Sequence, residues 1–208
     1  MSAGSLANRP ERRVETATAE VGLSAHDAPR VGMLAFLVSE AAFFATLIIA
    51  YLTYLGQADV GPTPKEALSL GLAGANTVVL LSSSVTLWWA SRAMAGGHTR
   101  SAHAGLFATI LLGVLFLAGT AYEWRELIGE QGLTISTNLF GTTYYTLVGC
   151  HAFHVTLGVL AMLVLAGLLS SRAVSAGAFT AFELVEWYWH FVDGVWIAVF
   201  LVVYVWGR

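Results

Sequence analysis

Apolar residues run almost unbroken through five stretches of the chain, roughly 31–55, 68–94, 103–124, 142–170 and 180–206. Each is long enough for the ~20 residues that a membrane-spanning helix needs. Short breaks rich in Gly, Pro, Ser and charge separate them: "GQADVGPTPKE", "SRAMAGGHTRS", "GEQGLTISTN" and "SSRAVSAG". The stretches lack the strict alternation of barrel strands, and nothing in them resembles the outer polar face of soluble helices. The pattern therefore predicts an all-α, polytopic membrane bundle of five transmembrane helices, residues 31–208. A polar arm, residues 1–30, precedes it and carries Glu11, Arg12, Arg13, Glu15, Glu20, Asp27 and Arg30 without an apolar run. That arm does not read as a removable signal peptide, so the first span is expected to target the chain.

Composition agrees with this reading. Of the 208 residues 57% are apolar and 11% charged, against about 25% charged in an ordinary soluble domain. A net charge of -3 with no clustered basic face excludes a nucleic-acid footprint. The single cysteine, Cys150, can make neither an internal disulfide nor a thiolate cluster and reads as a small apolar filler. Basic residues near span ends stay in the cytoplasm. With the N-terminus inside, Arg9, Arg12, Arg13, Arg30, Arg92, Arg100 and Arg172 are internal, against Lys65, Arg125 and Arg208 outside. The expected orientation is N-terminus cytoplasmic and C-terminus outside.

Polar residues inside the spans carry the candidate chemistry, because an ionisable group in the bilayer must find a partner. On the last span Glu183, Glu186, His190 and Asp193 fall within less than a quarter turn at ~100° per residue, while Trp187 points elsewhere. This wet stripe reads either as a polar seam docking one helix to its neighbours or as a route for protons. Glu40 lies nine residues into the first span, ~14 Å deep at ~1.5 Å per residue. A bare carboxylate is costly there, so the expectation is a protonated side chain or a close donor. On the fourth span His151 and His154 are one turn apart, and Gly158 continues their face, permitting close helix approach. By depth, Glu40 and His154 are a candidate buried pair; bonding of both imidazoles to backbone carbonyls is the alternative. The run Ser82–Ser84 on the second span reads as packing alone, and Glu123 at the end of the third as an interfacial charge.

No cysteine set, phosphate-binding loop, nucleophile elbow or zinc helix motif occurs. Axial histidines for haem and the repeated Glu-x-x-His of a di-iron bundle are both incomplete. No catalytic and no metal-ligating residue is assigned, and the chain alone is not expected to be an enzyme.

Several segments nevertheless occur in a telling order: "FLVSEAAFF" with Glu40, "NTVVLLSSSVT", "YEW" with Glu123, "FGTTYYTLVGCHAFHVTLG", and "FE" followed by "WYWHFVDGVWIAVFLVVYVWG". From about Val31 to Arg208 the chain resembles subunit III of the haem-copper oxidases, the cytochrome c oxidase family. The resemblance implies a helical subunit without cofactors of its own, packed beside catalytic subunit I and accompanied by subunit II, with haem and copper in those partners. It implies phospholipids held in a cleft, support of proton uptake and of the catalytic subunit's stability, and a bacterial plasma (inner) membrane setting in aerobic respiration. Cytochrome c is then the electron donor. Glu40, His190 and Trp187 are the expected lipid contacts. The long form of the family has seven spans; this chain matches the shorter five-span form. Glu186 departs from the family pattern, where small or apolar residues are common. The other readings are a quinol oxidase subunit, an accessory membrane subunit of nitric oxide reductase, and an independent metal-dependent membrane enzyme using His151, His154, Glu186 and His190.

Overall fold

The computed structural model describes residues 27–57, 61–170 and 176–207. Six α-helices are described: α1 Ala28–Tyr54, α2 Pro64–Ala67, α3 Leu70–Ala95, α4 Thr99–Gly129, α5 Leu139–Ser170 and α6 Ala176–Phe200, the last continued by a π-helical turn, Leu201–Trp206. Among the described residues five helices are long and apolar enough to cross a membrane: α1, α3, α4, α5, and α6 with its π turn, Phe179–Trp206. They match the five apolar stretches. α4 runs further at both ends than the stretch 103–124, because polar helix formers such as Arg125, Glu126 and Glu130 extend a span beyond the apolar slab without breaking it. Residues 1–26 of the polar arm lie outside the described residues, and α1 begins at Ala28.

The polar breaks are built from local chemistry. Short α2 sits in the "PTPKE" break, where no helix was expected. Pro64 opens it, and the Thr63 backbone N–H and hydroxyl both donate to Glu66 Oε2, at 3.0 and 2.9 Å. These bonds, the backbone one first, hold the Glu66 carboxyl below its ordinary value. Ser69 caps α3 by accepting from Leu72 N–H. The chain leaves α3 through Gly97, whose φ of +75° is open to glycine at little cost.

The chain divides between Glu40 and Ala41 into two units, each taken over its described residues. In the first, Asp27 and Arg30 lie 3.8 Å apart and Ser39 donates to Phe36 O at 2.7 Å. In the second, α3 and α4 make the most extensive pairing, followed by α5 with α6, α4 with α5, and α3 with α6. Small residues allow the first pairing: a Cβ at Gly105 would lie 2.7 Å from the Ala90 Cβ. Polar links cross it as well, from Asn76 Nδ2 to Phe116 O at 3.2 Å and between the Thr86 and Thr109 hydroxyls at 2.8 Å. The outer faces are apolar, with Phe107, Leu111, Val164 and Trp206 exposed, as lipid or a neighbouring membrane subunit requires. The π turn, with Val203 and Tyr204 buried, replaces the regular helix expected at 201–206.

Candidate functional site: a hydroxyl ladder between two spans

α3 and α6 run antiparallel, and side chains spaced along both make a ladder. At one end Ser91 Oγ donates to Glu186 Oε2 at 2.7 Å. One turn on, His190 Nε2 lies 3.8 Å from Glu186 Oε1, and His190 Nδ1 lies 2.9 Å from Ser84 Oγ. Ser84 Oγ also donates to Asp193 Oδ2. A serine has one proton to give. With that proton on the bond to Asp193, the Ser84 oxygen accepts, so His190 Nδ1 carries a hydrogen. Asp193 is buried, at 3% exposure, and its second oxygen has no partner among the described residues.

A second row of bonds runs beside the first. Trp189 Nε1 donates to Ser83 Oγ at 2.9 Å and Trp196 Nε1 to Thr77 Oγ1 at 3.0 Å. Each hydroxyl passes its own proton to a carbonyl of its helix, Ser83 to Leu80 and Thr77 to Ala73. The first row follows from matched spacing: Glu186 and Asp193 on one span and Ser84 and Ser91 on the other are each seven residues apart, two helical turns, so their partners stay in register. In the second row Trp189 and Trp196 are seven apart and their acceptors Ser83 and Thr77 six. Trp189 is also clamped between helices: a Cβ at Gly158 would lie 2.7 Å from its ring, and one at Gly113 would lie 2.8 Å from it. The close approach expected at Gly158 is thus an approach of α5 to the indole.

The serines were the residues the sequence reading missed. Ser84 does more than pack; its hydroxyl joins His190 to Asp193, and the matching seven-residue spacing on both spans was the available signal. The stripe is satisfied by α3, not by its own members alone. Glu183 borders a cavity of about 60 Å³ with Ser91, Met94, Phe179, Phe182 and Glu186 at the end of the ladder. Trp187 is half-buried and takes no part in the ladder. Glu40 is half-buried within α1.

The two histidines of α5 differ. His154 Nδ1 bonds its own helix at Cys150 O, 2.7 Å away, and Tyr188 O–H donates to the His154 carbonyl at 3.0 Å. Among the described residues a bond to a backbone carbonyl is thus present at His154 and absent at His151. His151 is fully buried, and neither ring nitrogen has a partner among the described residues. Aromatic rings enclose it: Trp196 at 4.8 Å between centroids, Phe116 at 5.9 Å and perpendicular, and Phe44 at 6.4 Å. An unsatisfied buried polar group costs about 1–3 kcal/mol. His151→Phe is accordingly expected to leave stability unchanged or raise it by about 1 kcal/mol. Thermal unfolding followed in detergent checks this; a loss of several degrees in Tm would show that an unseen partner holds the imidazole.

Glu123 is not an interfacial charge. It is 6% exposed, and its Oε2 accepts from Tyr204 O–H at 2.8 Å and Tyr144 O–H at 3.3 Å, the two phenols lying 3.1 Å apart. Oε1 has no partner among the described residues. The continuation of α4 to Gly129 puts Glu123 on a buried stripe with Phe116, Thr120 and Leu127, while Arg125 is exposed. That stripe, at helical spacing, was the overlooked signal. Among the described residues no group of three or more His, Cys, Asp or Glu is placed to hold a metal ion. Glu186 and His190 bond α3 hydroxyls while the His151 ring is enclosed by aromatic rings, so a shared metal on His151, His154, Glu186 and His190 does not fit this geometry.

Comparison with known proteins decides the family. The family model described as cytochrome c oxidase subunit III matches residues 15–208. The chain belongs to the cytochrome c oxidase subunit III family. It is 37% identical over 177 residues to cytochrome c oxidase subunit 3 of Corynebacterium diphtheriae, covering 84% of this chain and 86% of that one. It is 40% identical over 179 residues to the Synechocystis protein of the same name, covering 83% and 73%. It is 34% identical over 189 residues to the one from Anopheles gambiae, covering 86% and 69%. Membership in the subunit III family makes this a multi-pass membrane protein with a role in a cytochrome oxidase complex. It also accounts for a bundle whose polar side chains face inward and whose outer surface is apolar.

Proposed function

We propose that the chain is the third subunit of a proton-pumping haem-copper terminal oxidase that takes electrons from cytochrome c. In this reading it lies in the bacterial plasma membrane with its N-terminus in the cytoplasm, and the polar arm 1–30 precedes the bundle 31–208. It has no redox centre of its own. Haem and copper belong to partner subunits I and II, and this chain supports proton uptake, phospholipid binding and the durability of the catalytic subunit. Glu40, His151, His154, Glu183, Glu186, His190 and Asp193 are the proton-linked or buried polar set, and Glu40, His190 and Trp187 the lipid contacts.

The observation that supports this reading best is the ladder Glu186–His190–Ser84–Asp193. Its bonds have two senses. In one, an imidazolium His190, with a hydrogen on each ring nitrogen, donates from Nδ1 to Ser84 and Ser84 donates to the Asp193 carboxylate. In the other, a protonated Asp193 donates to Ser84 and Ser84 donates to Nδ1 of a neutral His190 that keeps its Nε2 hydrogen. Switching between them passes one proton between His190 and Asp193 with no side chain leaving its place. Such a seam both binds two spans and stores a proton inside the bundle.

Ser84→Ala breaks the ladder at its centre, and Glu40→Gln removes the proton-exchanging group from the first span. In the purified complex both are expected to leave haem content intact and to shorten the time over which turnover is sustained. Oxygen consumption and inactivation kinetics equal to wild type in both variants would remove these residues from the functional set.

A further inference from the structure

A cavity of about 170 Å³ lies between short α2, the start of α3 and the last turns of α4. At ~30 Å³ for each water molecule it has room for about five. Glu66, Ser69, Glu123, Glu126 and Gln131 are among the residues lining it.

The three carboxyls share one pattern. Glu66 commits Oε2 to Thr63, Glu126 commits Oε1 to the Tyr122 hydroxyl at 2.7 Å, and Glu123 commits Oε2 to the two phenols. Each keeps its other oxygen without a partner among the described residues, and for Glu123 that oxygen is itself buried. Burial grades the wall: Glu123 is buried, Glu126 half-buried and Glu66 exposed. Gln131 gives its amide N–H to Ala67 O at 3.2 Å, which leaves its side-chain carbonyl as a further acceptor. Among the described residues no cation serves this socket. Lys65 lines a different cavity, with Tyr51 and Trp206, and Arg125 is exposed and lines neither.

From this arrangement we infer that the cavity is a docking socket for a cationic side chain, arginine fitting best, carried by a neighbouring chain of the oxidase complex. A buried carboxylate oxygen without a donor costs free energy, and a partner's cation removes that cost only on assembly. The socket therefore favours the assembled state. A metal ion fits poorly, because among the described residues no three acidic groups are placed to hold one. A guanidinium spreads five N–H donors over a planar fork and can meet separated acceptors together. A protein source is favoured by the surroundings: Tyr122 and Ile128, on the same stretch of α4, are exposed, and aromatic residues with arginine are enriched at protein interfaces. The inference rests on the family's place in a cytochrome oxidase complex and is independent of the proposed proton and lipid roles.

The test uses the native assembly, purified through a tag on this chain and imaged by cryo-electron microscopy. An arginine or lysine of a neighbouring chain is expected within about 4 Å of Glu123 or Glu126. A metal ion, a free polyamine or water alone in the cavity would overturn the inference. The visible spectrum of the same sample reports oxidase assembly separately, so a failed oxidase assignment is told apart from a failed socket. The double variant Glu66→Gln, Glu126→Gln should leave the assembly about tenfold faster in a high-salt wash. Glu130→Gln, outside the cavity, should match wild type. Thermal unfolding of each separated chain tells weakened docking apart from weakened folding. Wild-type retention of the double variant, or equal loss of the Glu130 variant, would also overturn the inference.

Discussion

Gly158→Ala is expected to destabilise the bundle by about 3 kcal/mol, the upper end of the overpacking range, and Gly158→Leu to prevent it from assembling. The new Cβ would lie 2.7 Å from Trp189 Cε3, 2.8 Å from its Cζ3 and 3.2 Å from Tyr188 Cε1. Ordinarily a ring moves aside. This one has little room, since a Cβ at Gly113 would meet its far edge at 2.8 Å and its Nε1 is tied to Ser83. Moving the indole therefore means moving α3, α4 or α5, or abandoning a buried hydrogen bond. Gly74→Ala and Gly167→Ala are the controls, with open space around each; both should be neutral or slightly stabilising, since alanine favours helix over glycine by up to about 1 kcal/mol. Unfolding of the four variants by denaturant in detergent decides the matter. Equal stability at all three glycines would mean that Trp189 is not clamped.

Glu123→Ala is the second large effect. The carboxylate accepts from two buried phenols, one on α5 and one in the π turn, so its removal strands donors on two elements at once. At about 1–3 kcal/mol for each unsatisfied group, the cost is about 2–4 kcal/mol if the two phenols partly compensate by bonding each other. Glu123→Gln keeps an acceptor oxygen and should lose about 1 kcal/mol. Tyr204→Phe removes a single interhelical bond and should lose about 0.6 kcal/mol, the average for such bonds in membranes. The order Ala, Gln, Phe in decreasing damage is the signature. A Gln variant as unstable as Ala would mean that charge, and not acceptance, holds the cluster.

The sequence revealed the spans because twenty-residue apolar runs have few other uses, and each predicted stretch overlaps a helix closely. It also placed Gly158 at a close approach and Glu183, Glu186, His190 and Asp193 on one face, since both follow from helical periodicity alone. What escaped was pairing across helices. A serine reads the same whether it bonds its own carbonyl, as Ser82 does with Val78, or bridges two side chains, as Ser84 does. Glu123 was misjudged because its neighbours Arg125 and Glu126 look like a water boundary, while the helical stripe through Phe116, Thr120 and Leu127 carries it inward. The π turn left no mark that an ordinary apolar helix would not also leave.

Everything functional here depends on the buried ionisable groups being held by neighbouring helices in a subunit that performs no electron transfer. The most direct measurement is the metal content and visible spectrum of the tagged chain, first in its native assembly and then after separation from its partners. Haem and copper should appear in the assembly and remain with the partner fraction. Stoichiometric metal or a haem spectrum in the separated chain would contradict this.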